Sequence, residues 1–435
     1  MNQLQKPETV NKTVIKIPVD TASRLPFYLV LLYIILEFAR PQATILGLAP
    51  LRIPAIVTII LGLSVVLLGR LNLSDKQTKL FILLLAVMVL NGPLAVNNYW
   101  AYQVFRTMLI TFVTYLGIIA FVDSFDRFKT LINIWLGIHV YLAIHGIIKG
   151  GLGVGGFLAD ENDFSMTLNM IIPFAFFMAF AEANKLRKII YICLICLFLF
   201  VNMLTLSRGG FIGLVMVGIY CWIRSPKKIV SAVLIGLLVL FMFQYAPEKY
   251  LGEIKSIQGE GVENREGEIR YQGTGGERIY QWQIGWKMFL DNPILGVGQG
   301  NYPFRFSEYE KASGFDEGLH GRSRAGRAAH SIYFTLLPEL GVAGTLIFAM
   351  MLYFIYKDLR FISQLKTRRS SYISSPEKVI IFYLSRAMEG SLIGFLFSGI
   401  FISILYYPNF WILMGFVVAL KRVAEREYEN NNASY

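Results

Sequence analysis

A set of arginines, Arg208, Arg278, Arg322, Arg324 and Arg327, and the histidine that follows them, His330, are the residues best suited to chemistry here. Arginine keeps its charge and offers a planar fork of donors that matches phosphate oxygens, so several that converge make a clamp for a diphosphate. Histidine, with an unperturbed pKa of about 6.5, can take a proton from a hydroxyl at neutral pH. His330 also opens an apolar run, whose helical N-terminus would add its dipole to an anion site. The bland readings are that the arginines pair with acids of their own loop, such as Glu260 and Glu266, and that His330 only closes a helix end. Gly151, Gly153 and Gly156 fit a dinucleotide pattern, but no strand precedes them, which excludes that fold. Gly296, Gly298 and Gly300 read as a tight turn after Asp291-Asn292-Pro293, with backbone amides exposed enough to hold an anion. No metal-ligand spacing appears, and no cofactor is called for.

The elements that position these residues are membrane helices. Of 435 residues, 55% are hydrophobic and only 16% charged, more apolar surface than a water-soluble globule can bury. Runs of crossing length are expected at 25–39, 52–69, 79–95, 103–122, 128–148, 164–181, 189–206, 209–223, 229–246, 330–356, 379–405 and 409–420, about twelve transmembrane helices in an all-α polytopic protein. The net charge of +12 sits mainly in connectors, every second one of which is basic. That alternation puts both termini in the cytoplasm and speaks against nucleic acid as a partner. The first 24 residues show no cleavage pattern, so the first helix is expected to stay.

Four further expectations follow. The chain divides into a cytoplasmic tail (1–24), helices one to nine (25–246), a periplasmic loop domain (247–329), helices ten to twelve (330–420) and a cytoplasmic tail (421–435). The run 189–223 turns back at Ser207-Arg208-Gly209-Gly210, where glycines allow the reversal and Arg208 marks the outer rim. Ile279 to Phe289 reads as an amphipathic helix, lying either on the membrane surface or on its own domain, and the Gly- and Glu-rich segment 259–276 is expected to be mobile. Within the spans, Cys193, Cys196, Cys221, His139 and His145 read as packing, and Arg386 and Glu389 as a mutually neutralising pair.

The order Leu206-Ser207-Arg208-Gly209-Gly210, then Arg278, Trp286 and Asp291 to Gly298, then His330-Ser331 and Leu337-Pro338-Glu339-Leu340-Gly341 resembles the O-antigen ligase and polymerase superfamily, most strongly over residues 156–344. The resemblance implies a GT-C-like membrane glycosyltransferase of the bacterial inner membrane. Such an enzyme moves a glycan from undecaprenyl diphosphate to an acceptor hydroxyl, lipid A-core for a ligase, at the periplasmic face. By resemblance, Arg208 and Arg278 hold the diphosphate, His330 acts on the acceptor hydroxyl, and Glu339 either takes part or braces its helix. The roles of Arg322, Arg324 and Arg327 rest on charge and position alone.

Polymerases and protein O-oligosaccharyltransferases share these residues and differ in acceptor. A transporter or flippase would instead show repeated halves with ionisable residues at mid-membrane, which the sequence lacks. The charge alternation is checked by reporter fusions: one near Gly261 should behave as extracytoplasmic and one near Lys366 as cytoplasmic. Both on one side would overturn the topology.

Overall fold

Polar residues placed just ahead of apolar runs start several of the helices, because a side-chain oxygen can take up an amide that the first turn leaves unpaired. Asn97 accepts from Trp100 N, Ser124 from Arg127 N, Asp160 from Asn162 N, Asn184 from Leu186 N and Arg187 N, and Ser207 from Gly210 N. The computed structural model describes residues 23–45, 49–233, 236, 261–263, 269–271, 274–312, 326–368 and 375–430. Its helices are α1 (Arg24–Phe38), α2 (Ile53–Leu67), α3 (Lys76–Asn91), α4 (Asn98–Phe121), α5 (Phe125–Ile148), α6 (Glu161–Ala181), α7 (Lys185–Leu204) and α8 (Arg208–Arg224). An antiparallel pair follows, β1 (Gly261–Glu263) and β2 (Ile269–Tyr271), then α9 (Thr274–Asp291), α10 (Tyr302–Ala312), α11 (Tyr333–Arg368), α12 (Pro376–Ser398) and α13 (Pro408–Asn430).

The chain is a polytopic, nearly all-helical membrane protein, with 7 helices among the described residues long and apolar enough to cross a bilayer. Every expected crossing coincides with a helix except that at 229–246, which lies largely outside the described residues. Helix α11 runs to 36 residues, well past the expected end at 356, because its Lys- and Arg-rich continuation still favours helix once the apolar requirement ends. Within 259–276, expected to be mobile, the described residues include the β1–β2 pair.

Helix α6 is the central post, buried almost throughout and packed against α7, α8 and α12. Interhelical hydrogen bonds hold it, since apolar burial alone drives little association in lipid. Asn169 Nδ2 donates to Gly210 O (2.7 Å) and Ser398 Oγ (3.0 Å), and Asn202 Nδ2 donates to Asn169 Oδ1 (2.9 Å) and Ser165 O (3.1 Å). The glycines of α8 make this approach possible: a Cβ on Gly210 would meet Ser165 Oγ at 1.8 Å, and one on Gly213 would meet Ser398 Oγ at 2.0 Å. The expectation that Gly209 and Gly210 form the reversal is therefore corrected. Both lie inside α8, and the left-handed residue at the turn is Leu206 (φ 53°).

The other end of the bundle is closed by charge pairs. Lys421 Nζ reaches Asp358 (2.8 Å), which also accepts from Gln77 Nε2 (2.6 Å). Arg422 pairs with Asp75, and Arg127 with Asp123 (3.1 Å). The expected Arg386 and Glu389 pair is also corrected: Glu389 binds Arg224 (3.2 Å) and Tyr220 OH (2.6 Å), while Arg386 Nη1 donates to Arg224 O (2.6 Å). Two helices meeting at that level offer partners that one helix face does not. Cys193 and Cys196 face outward on α7, Cys221 is buried, and all are unpaired. His139 meets Trp135 edge to face in the core, whereas His145 is half-buried.

The element that positions the site is a break in α11. Pro338 lies inside the helix and Gly341 leaves helical geometry (φ 59°, ψ −161°), so carbonyls before the break and amides after it lose their helical partners. The turn 293–298 supplies them. Val297 N donates to Pro338 O (2.8 Å) and Gly298 N to Glu339 O (3.1 Å), while Val342 N donates to Pro293 O (2.8 Å) and Ala343 N to Ile294 O (3.1 Å). The fit leaves no room: a Cβ on Gly341 would lie 2.4 Å from Ile294 O, and one on Gly296 would lie 2.5 Å from the Glu339 carbonyl carbon. Gly341→Ala is therefore expected to cost roughly 1–3 kcal/mol or more, since it combines left-handed strain with a backbone clash. Gly69→Ala shares the positive φ (62°) but meets nothing within 4 Å, so it isolates the strain. Thermal unfolding in detergent should rank Gly341→Ala well below Gly69→Ala, and equal losses would contradict the interlock.

Candidate functional site

Three helix starts converge at the end of the bundle that carries Arg208. Ser207, which caps α8, donates from Oγ to Asn162 Oδ1 (2.6 Å) beside the Asp160 cap of α6, so the two N-termini lie together. The segment leading into α11 is pinned close by: Ile332 N donates to Gly399 O (2.8 Å), just past α12, and Tyr333 OH to Leu396 O (3.1 Å). The amides of each first turn carry partial positive charge towards this region.

The side chains add full charges. Arg208, the first residue of α8, is half-buried. Arg278, in the first turns of α9, lies over the Phe401 ring (5.7 Å to its centre). Burial pushes its guanidinium pKa below the ordinary value and the like charge of Arg208 pushes it further, while Asp160 and Glu161 oppose the shift. Two arginines held near enough to repel need an anion between them or acids beside them. Helix α9 is anchored by Trp282, which stacks on Phe334 (5.3 Å between centres) and donates from Nε1 to Ala329 O (3.1 Å). Tyr280, Ile284 and Met288 pack with Tyr302 and Phe306, whereas Ile279, Trp286 and Leu290 stay exposed. The helix thus packs on its own domain and still offers an apolar outer stripe.

His330 stands just before α11 with φ 46°, a left-handed conformation that costs a non-glycine residue about 1–2 kcal/mol. Such strain persists only where surrounding contacts enforce it, as the Ile332 and Trp282 bonds do here. The imidazole keeps accessible surface, but the protein around it removes part of its water shell. That burial lowers its pKa most, Arg278 and then Arg327 lower it further, and Asp160 and Glu277 pull it back up. Below its ordinary value, the pKa leaves the ring neutral at pH 7 and able to accept a proton.

The remaining predicted residues divide. Arg327 is held by Glu277 (2.7 Å), so its charge is partly met within the protein. Arg322 and Arg324 lie outside the described residues. Glu339 is buried, and its carboxylate accepts from Gly300 N (2.7 Å), Tyr302 N (3.1 Å) and Tyr406 OH (2.7 Å). The expectation that amides of the Gly296–Gly300 turn hold an anion is overturned: those of Gly296, Val297, Gly298 and Gly300 all donate within the protein. Asp160, Glu161, Glu277 and Phe401 are site residues that sequence reasoning passed over. The acids were signalled by Asp160-Glu161 directly ahead of an apolar run and by Glu277 next to Arg278; Phe401 had no signal.

Residues 191–349 match a family model described as O-Antigen ligase. The match supports a likeness to the O-antigen ligase superfamily over that stretch, which takes in Arg208, Arg278, Arg327, His330 and Glu339. No curated protein matches the chain.

The charges around His330 set a titration that can be read apart from any activity. Carbethoxylation needs a neutral imidazole, so its rate at His330, followed by mass spectrometry, should fall only below about pH 6.5. Removing a positive neighbour stabilises the protonated ring, so Arg278→Gln should move the midpoint up; removing a negative one does the reverse, so Asp160→Asn should move it down. A midpoint above 6.5 that neither change moves would refute this electrostatic picture.

Proposed function

We propose that this protein is an O-antigen ligase-type glycosyltransferase of the bacterial inner membrane. It transfers a glycan from undecaprenyl diphosphate to an acceptor hydroxyl, that of lipid A-core, at the periplasmic face, without a metal ion. The observation that carries the reading is the meeting of Arg208, Arg278 and His330 at the end of the bundle where three helix starts converge. In this reading both termini are cytoplasmic and the region 247–329 is a periplasmic domain. A lipid-linked donor suits a compartment without nucleotide sugars.

The diphosphate lies against Arg208 and Arg278. As the bond from the anomeric carbon to the diphosphate oxygen breaks, negative charge grows on the leaving group, and the two forks stabilise it more than they stabilise the ground state. His330 accepts the acceptor's hydroxyl proton while that oxygen bonds to the anomeric carbon. The products are the glycoside and polyprenyl diphosphate, and the imidazolium returns its proton to water. Arg327, held by Glu277, and Arg322 and Arg324 add positive charge around the donor. Polymerase and protein O-oligosaccharyltransferase chemistry would use the same steps with a different acceptor.

The test is transfer by purified protein in excess EDTA, with a polyprenyl-diphosphate glycan and lipid A-core. Arg208→Lys and Arg278→Lys keep the charge but lose the fork, and should lower transfer by about an order of magnitude or more. Arg187→Lys, an exposed residue of α7 that lies 3.7 Å from Glu182, should be silent. His330→Ala should lower the rate by roughly 10²- to 10⁴-fold and leave donor binding intact. A well-folded His330→Ala protein with near wild-type transfer would end the mechanism, and activity lost in EDTA and restored by Mg²⁺ would end the metal-independent reading.

A further inference from the structure

A cavity of about 360 Å³ lies behind the segment that carries His330. Its walls come from the last turn of α1, the first turns of α4 and α11, the 156–158 turn, the start of α10 and the 403–408 loop. Ala328 and Ala329, the residues between Arg327 and His330, also line it, so it shares a wall with the arginine cluster.

The lining is aromatic on several sides, through Trp100, Phe157, Tyr302, Tyr406 and Tyr407. The Trp100 indole is set against Gly300, where a Cβ would meet its Cδ1 at 2.8 Å, and Phe304 approaches its edge (6.3 Å). Most polar groups in the wall are engaged. Tyr302 OH donates to Gln281 O, Tyr406 OH to Glu339, Tyr407 OH to Asp163 and Thr335 Oγ1 to Ser331 O. Glu37 differs: among the described residues it accepts one long hydrogen bond, 3.3 Å, from Tyr33 OH, and Arg40 acts on its charge without a hydrogen bond between them. Gln103, whose Oε1 accepts from Arg106 Nη1 (3.4 Å), is also in the lining.

Flat aromatic faces with a carboxylate and an amide at the rim are the chemistry that holds a sugar ring, whose C–H face stacks while its hydroxyls donate to the carboxylate. The volume falls within the roughly 300–1,000 Å³ of small-ligand sites. Several walls are helix ends at the level of Arg208, which suits a headgroup sugar better than an acyl chain. We propose that this cavity binds a sugar ring of the acceptor, with Trp100 as its stacking platform and Glu37 as the group that recognises its hydroxyls.

The assignment rests on the glycan-transfer reading and sharpens it. The donor's diphosphate belongs with the arginines, and an attacking hydroxyl must reach the anomeric carbon from the side away from the leaving group. A ring in this cavity comes from across the Arg327–His330 segment, so His330 stands between the two substrates.

The test is binding by calorimetry of the full-length protein in nanodiscs, in two arms. One arm uses core oligosaccharide released from rough lipopolysaccharide by mild acid; the other uses the glycan released by mild acid from its polyprenyl carrier. Core oligosaccharide should bind wild type, and Glu37→Gln and Trp100→Ala should each weaken it about tenfold, or about 1.4 kcal/mol. Arg278→Gln should bind it like wild type. Glu37→Gln is isosteric, so it stands as the test should Trp100→Ala fail to fold. Core oligosaccharide binding that is absent, or unmoved by Glu37→Gln, overturns the proposal, as does cavity-dependent binding of the donor glycan in its place. Arg278→Gln that still transfers at full rate, with binding lost in the cavity variants, would overturn the catalytic reading and leave the cavity assignment standing.

Discussion

The break in α11 and the turn that fills it support everything else at this end of the molecule. A helix interrupted at Gly341 leaves backbone groups that lipid cannot satisfy, and such groups are costly in a bilayer. The 293–298 turn satisfies them, and Asn91 Nδ2 joins from α3, donating to Leu295 O (2.7 Å) and Glu339 O (2.8 Å). The Glu339 carboxylate then reaches two further segments, the start of α10 and Tyr406 ahead of α13. One interruption thereby fixes the cavity floor and the direction in which α11 leaves His330.

Much of this was readable residue by residue and little of it pair by pair. The arginines and His330 announced themselves because their chemistry belongs to single side chains and their motif order is local. The reach of most helices followed from apolar length. The glycine turn misled because its amides looked exposed until a break some forty residues later claimed them. Leu206 hid behind Gly209 and Gly210, since nothing in a sequence tells a glycine needed for φ from one needed for space. The neighbourhood of Asp160 and Arg278 arises from the starts of two helices that only folding brings together, so the counter-charges were invisible even though each acid stood in plain view. Glu389 found Arg224 instead of Arg386 for the same reason.

The electrostatics at the site are a compromise between acids and bases. Arg208 and Arg278 repel, Asp160 and Glu161 oppose that effect at Arg278, and Glu277 is committed to Arg327. The positive ends of three helix starts meet beside these charges. An anion that settles there stabilises the folded protein by mass action, so the empty state is the less stable one.

The hydrogen bonds of α6 have a consequence for biogenesis. Asn169 is synthesised 229 residues before Ser398, one of its partners, and 41 before Gly210. At roughly 5–20 residues per second, the first delay is about 10 to 50 s. During that time the ribosome has delivered the central helix of the bundle with polar atoms that hydrocarbon cannot match. The nascent α6 must either shelter at the translocon or borrow partners from α7, whose Asn202 arrives first. The order in which helices leave the insertion machinery is thus written into the polar core that later holds them together.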